Sequence, residues 1–406
     1  MHFRARRLVP IVAALTILLT SFPAVADLSI LQPLDELARV SPVVVRGHVY
    51  AVDSAWDAGS IYTYVTLDVA ETLRGDVPTE RITLKQLGGT VGEMGMYAAG
   101  QALFSPGEEV LVYLSIRPRD RTLMTAVLWQ GKWIVDRSGG PDEAQVVRYS
   151  GLDSDGNLML NDTRPLSEVE RVTHEALLGA RREAEMIVFS PPEAPAPVNT
   201  VDSPVAAKIP LLGYSWHEVF AGSLRRLRLD KTKQPGVGSG KKQAKKIAKK
   251  QNAIAGSLAV WKRGSKYNGS AKGSSLRDPS CLSDIVIFNS DPSGELANDG
   301  TLAVGGAFFY NNIKIRGLNM ACNGFVILND GSTADGFNKD KTCYQNILNH
   351  EVMHVGGLGH STKKGNLMFW SVDVTSCKSG DIAYGKDDKK GFKKIYKKSY
   401  ATREGS

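Results

Sequence analysis

Histidine is scarce in this chain, with seven in 406 residues, and cysteine is scarcer, with four, none of them before Cys281. Any disulfides are therefore confined to the second half. After residue 26 no apolar run approaches the ~20 residues that a membrane helix needs, which argues against a membrane-spanning mature chain. The glycine-rich stretch from Gly88 to Gly107 lacks a P-loop lysine and a strand-loop-helix context, so it is not a phosphate cradle. It reads instead as a mobile loop.

What is present begins with an address. Arg4, Arg6 and Arg7 precede an apolar run from Leu8 to Phe22, which Ala24-Val25-Ala26 follows. That order predicts a secretory signal peptide over residues 1–26, with the membrane anchor as the alternative reading. The remainder, 27–406, is long enough for two domains, each with its own core. An exported chain with an even number of cysteines predicts disulfides. Four cysteines allow three pairings, and Cys281–Cys322 with Cys343–Cys377 is the expected one. Free buried thiols are the other reading.

Charge is divided unevenly. Residues 27–212 hold 16 basic and 26 acidic side chains, or −10, and residues 213–406 hold 31 and 16, or +15. With the three early arginines these sum to the net +8. Opposed halves can attract each other, so the acidic half is expected to dock on the basic one. The docked half would restrain the other, as in a zymogen, until the intervening segment is cut; the alternative is that the first half is a permanent binding module and the charge split is incidental.

Residues 27–160 read as β structure: "IYTYVTLDV" alternates, placing Ile61, Thr63, Val65, Leu67 and Val69 on one face. Further short strands without intervening helices predict an all-β barrel or sandwich. Asp153, Asp155 and Asn157 faintly resemble a calcium loop, so calcium is a candidate cofactor beside the plainer reading as a turn. A helix follows at 161–189. Six prolines from 191 to 210 predict an exposed linker over 190–210. Beyond it, Ala244, Ile247, Ile254, Leu258 and Trp261 share a helical face with lysines opposite. Those lysines read as a solvated face or as a surface for a polyanion. Strands are predicted at 283–289, 300–310 and 323–330.

Three of the seven histidines fall in "HEVMHVGGLGH", residues 350–360. The preceding sequence predicts a helix with Tyr344, Ile347, Leu348 and Val352 buried. His350 and His354 then lie one turn apart on one face, a spacing at which two imidazoles can hold one cation. Gly356 and Gly357 can end the helix cheaply through a positive φ and return the chain, so that His360 supplies a third ligand. Three nitrogens with an open fourth position are the pattern of a catalytic zinc. Glu351, beside the first ligand and slightly off its face, is placed to act as general base on a water activated by the metal. A structural or transport zinc site would have no use for that glutamate.

The same run resembles the zinc signature of the metzincin metallopeptidases, and Gly357-Leu358-Gly359-His360-Ser361 resembles that of their matrixin branch. "GNLMFW" places Met368 where matrixins carry the Met-turn, a methionine packed beneath the metal. "DDKKGFKKIY", from Asp387 and Asp388 onward, resembles the matrixin C-terminal helix. "DGTLAVGGAFF" resembles the edge strand that pairs with an extended substrate, which implies that Leu302 and Ala303 lend backbone groups to it. The resemblance implies an α+β catalytic domain over 211–406, a twisted mixed sheet with three helices, and an exported, bacterial-like endopeptidase acting on protein or peptide. Three departures stand out. Val304 occupies the place of a histidine that would hold a second zinc, and outside the motif residues 27–406 offer only His48, His174 and His217, so one zinc is expected. No propeptide cysteine exists to silence the metal. The Met-turn continues Phe369-Trp370 rather than Tyr-Pro. The sequence thus reads as a secreted or periplasmic zinc endopeptidase; the alternative is a secreted binding protein with a vestigial zinc site.

Overall fold

The computed structural model describes residues 28–77, 80–140, 143–152, 158–179, 214–216, 226–229, 268–271, 284–288, 291, 294–315, 318–361 and 366–369, with single positions 377, 385, 388, 390, 391 and 395. The linker at 190–210, the lysine-faced segment at 241–263 and the calcium-like turn at 153–157 lie outside them, as do His217, Cys281, Trp370 and Asp387.

Along the chain the strands begin with β1 (Leu28–Ser29), and helix α1 (Leu34–Val40) follows it. Next come β2 (Val43–Asp57), β3 (Ser60–Arg74), β4 (Arg81–Leu87), β5 (Gly89–Val91), β6 (Met94–Ala98), β7 (Glu109–Ile116), β8 (Leu123–Thr125), β9 (Lys132–Asp136), β10 (Gln145–Leu152) and β11 (Leu158–Pro165). Helix α2 (Leu166–Gly179) ends this half. One sheet takes the order β11-β10-β9-β7-β2-β3-β4-β8, and β8 also pairs with β7, so the path returns on itself. The β2–β3 hairpin turns through Ala58 (φ 48°) and Gly59 (φ 83°), two left-handed residues, as a two-residue turn matched to strand twist requires.

Alternation along β3 predicts one buried face, and Ile61, Val65 and Leu67 are buried as expected. Tyr62 and Tyr64 on the opposite face are buried as well. Part of the cause is residues 294–300, which come from the second half of the chain and pack there. Glu295, itself buried, accepts from Tyr62 Oη at 2.8 Å and from Arg119 Nη1 at 2.8 Å, and it pairs with the fully buried Arg117. Asp299 accepts from Ser115 Oγ (3.0 Å) and from the backbone N–H of Val127 (2.7 Å). Burial pushes the Asp299 carboxyl upward, and these hydrogen bonds oppose the shift. The local polarity is opposite to that of the net charges: cations of the acidic half meet carboxylates of the basic half. Removing one partner of such a buried pair strands a charge, at about 3–5 kcal/mol.

The first half is not purely β. α1 and α2 cover one face of the first sheet, where Leu34, Leu37, Ala38 and Val169 pack with Leu111, Tyr113 and Trp133.

A second sheet holds β12 (Tyr214–Trp216), β13 (Arg226–Leu229), β14 (Asn268–Ala271), β15 (Asp284–Phe288), β16 (Thr301–Ile315) and β17 (Leu318–Leu328). Its order is β14-β13-β15-β17-β16-β6-β5, with β1 on β16 and β12 on β17. β13, β14, β15 and β17 pair in parallel, and β16 runs antiparallel to β17. This is the mixed sheet that the resemblance implies, and helices α3 (Ser332–Asn338) and α4 (Lys341–Val355) follow it.

A second expectation is overturned. The glycine-rich stretch 88–107 is not a plain loop, because β5 and β6 lie within it and extend the second sheet. Glycine there permits close approach rather than mobility. A Cβ on Gly95 would stand 2.2 Å from the Phe309 ring of β16.

Candidate metal centre

α4 starts on a side-chain cap: Asp340 accepts from the N–H groups of Thr342 (2.8 Å) and Cys343 (3.0 Å). Tyr344, Ile347, Leu348 and Val352 are buried, as their spacing predicts. Cys343 is disulfide-bonded to Cys377, the expected pairing. Cys322 is disulfide-bonded too, and Cys281, the remaining cysteine, lies outside the described residues.

The helix ends in a Schellman motif. Leu358 N–H donates to Met353 O at 3.1 Å and Gly357 N–H to His354 O at 2.8 Å, with Gly357 at φ 91°. A side chain at 357 would meet both that conformation and the carbonyl of Tyr214, 2.6 Å from an added Cβ. The glycine thus reverses the chain as its position in the sequence suggests, and His360 comes back to α4.

The three imidazoles converge. His350 Nε2 lies 2.8 Å from His354 Nε2 and 3.2 Å from His360 Nε2, and all three rings are buried. Nitrogens bound tetrahedrally to one zinc at ~2.0–2.1 Å would stand roughly 3.3 Å apart. His350 Nδ1 donates to Leu367 O at 2.6 Å, and His354 Nδ1 donates to Leu358 O at 2.7 Å. Since a carbonyl only accepts, the proton of each neutral ring sits on Nδ1 and its lone pair on Nε2. Burial lowers His350 to about 4 and His354 well below the ordinary histidine range, so both rings are neutral at pH 7. Neutral rings whose lone pairs face one another at these distances repel unless a cation sits among them. The donor set fits zinc. Among the described residues this is the one cluster of three or more His, Cys, Asp or Glu side chains able to hold a metal. His48 and His174 are exposed and stand apart from it.

Glu351 is fully buried beside the triad. β16 passes against it at Gly305, where an added Cβ would stand 2.5 Å from Glu351 O and 2.9 Å from Oε2. Leu302 and Ala303 lie on the same strand, both buried.

Met368, next to the Leu367 whose carbonyl holds His350, is buried, and its own carbonyl accepts from Ser361 N–H at 2.6 Å. Buried Asp388 accepts from the N–H groups of Leu367 (3.1 Å), Met368 (3.3 Å) and Gly385 (2.7 Å). It therefore fixes the turn whose Leu367 carbonyl orients His350. Three residues of this support carry no role in the sequence reading: Gly305, Asp388 and Tyr214, whose hydroxyl donates to His354 O at 2.6 Å. The doubled glycine at 305–306, inside an otherwise apolar strand, was the available signal for the first.

Asp388→Ala would leave buried N–H groups without their acceptor. It is expected to cost about 2–3 kcal/mol, read from a denaturant midpoint, and to weaken zinc binding roughly 10–100-fold.

Residues 242–397 match the family model of the matrixin peptidases. The match covers under half of the chain and includes α4, the triad, the Met368 turn and Asp388. It supports a zinc metallopeptidase domain over that stretch. A search of curated proteins finds no match to the chain.

Proposed function

We propose that this protein is an exported zinc endopeptidase, with His350, His354 and His360 as the ligands of one zinc ion and Glu351 as its general base. The convergence of three buried imidazole nitrogens beside a buried glutamate carries the reading. A zinc ion held there supplies a Lewis acid that polarises the scissile carbonyl and makes water acidic near neutral pH. The Glu351 carboxylate accepts a proton from the attacking water and returns it to the leaving amide nitrogen, so the C–N bond breaks to a carboxylate and an amine. The backbone of Leu302 and Ala303 pairs with the extended substrate. Asp388, through the Leu367 carbonyl, keeps His350 oriented. Export fits the signal-like residues 1–26 and the disulfides, which persist in oxidising compartments. No helix of the described residues is long and apolar enough to cross a membrane.

The test is cleavage of a reduced, alkylated protein by the purified chain. Activity should vanish with a chelator and return with one equivalent of zinc. Zinc binding without any cleavage would favour a binding protein with a vestigial site.

A further inference from the structure

β16 is the strand whose free edge the proposed function assigns to substrate, and in this structure that edge is already paired. Ala303 pairs across one side with Leu328 of β17 and across the other with Leu28 of β1. Ser29 stands opposite Thr301, and Ile30 N–H donates to Gly300 O at 3.1 Å. Further along the same edge, Ala98 to Met94 of β6 pair antiparallel with Gly306 to Tyr310, and Ala99 N–H donates to Gly305 O at 2.9 Å. The two segments lie end to end and run in one direction.

The two segments are held differently. β6 belongs to a hairpin with β5 and is packed into the core between the sheets through Met96 and Ala98. β1 is a two-residue strand with one clasp. The fully buried Gln130 donates from Nε2 to Ser29 Oγ (2.8 Å) and Ile30 O (3.0 Å), and its Oε1 accepts from Gln32 N–H (2.9 Å). Gln130 follows Val127 (φ 46°) and Leu128 (φ 59°), a left-handed pair that is costly for such side chains, and the buried Asp299 holds it through the Val127 N–H. Ile30 packs on the cluster that includes Leu302, Val352 and Met353, so β1 lies against the zinc helix.

We propose that β1 is a built-in occupant of the substrate edge: Leu28–Ile30 takes the backbone positions of an extended peptide at 300–303 and must leave before a substrate pairs there. This rests on the reading of β16 as the substrate strand. It needs no cysteine and no long-range charge attraction, because one strand of peptide replaces another on the same hydrogen-bonding groups. β6 stays in place as part of the sheet.

The experiment compares the full chain with Ile30→Pro, which removes the N–H given to Gly300, using a fluorescent peptide of residues 27–32 and a scrambled control. Loss of one such bond is expected to tighten peptide binding roughly five- to tenfold and to raise cleavage of an unfolded protein by a similar factor. Binding of the scrambled peptide should stay unchanged. If Ile30→Pro lacks a cooperative thermal transition, Ser29→Ala, which only removes the hydroxyl held by Gln130, should give about two- to threefold in the same direction. Peptide binding no tighter than in the parent, in a folded variant, overturns the proposal whatever the cleavage rate. Tighter binding without cleavage by either protein keeps the proposal and sinks the peptidase reading.

Discussion

Glu351→Gln should leave a folded protein that still carries its zinc and whose peptidase rate has fallen roughly 10²–10⁴-fold, the range expected when a general base is removed. The swap keeps the side chain's shape in its tight place beside Gly305, so packing is preserved while the proton acceptor is lost. The measurement is kcat/KM on a peptide substrate, with the thermal transition recorded alongside. A rate above a few per cent of the parent would take the base role away from Glu351. Loss of zinc together with activity would make it a structural residue instead.

Gly305→Ala is expected to be nearly as damaging without touching any ionisable group. The new Cβ would stand 2.5 Å from the Glu351 carbonyl and 2.9 Å from its carboxylate oxygen, so β16 and α4 must separate. Overpacking of this kind costs about 1–3 kcal/mol. A displacement near 1 Å at the general base can lower the rate by ~10². Stability from denaturant unfolding and kcat/KM should fall together. Full activity with unchanged stability would mean that the strand and the helix are not in register against each other as described.

Much of the site was legible in the sequence because its signals are local. His350 and His354 share a helix face by spacing alone, and Gly357 sits where a helix end needs a left-handed residue. The strand pattern of β15, β16 and β17 was likewise readable from short apolar runs. What escaped notice depends on contacts between distant segments. Gly305 matters because of Glu351, Tyr214 because of the His354 carbonyl, and Asp388 because of the turn at Leu367. None of these partners is near in sequence. The glycines of 88–107 look mobile in isolation, yet Gly95 exists to let β6 approach Phe309. Net charge does not locate the contacts, for the same reason. Totals of −10 and +15 describe whole halves, whereas the described interface turns on Arg117, Arg119, Glu295 and Asp299, whose signs run the other way.

The central claim is that three histidines, and not the glutamate among them, hold one zinc ion. Metal analysis of the purified parent, Glu351→Gln and His354→Ala proteins tests it most directly. The account predicts one zinc per chain in the parent and in Glu351→Gln, and loss of zinc from His354→Ala, since two remaining nitrogens bind it poorly. Zinc retained at one per chain in His354→Ala, or lost from Glu351→Gln while its fold stays intact, would contradict it.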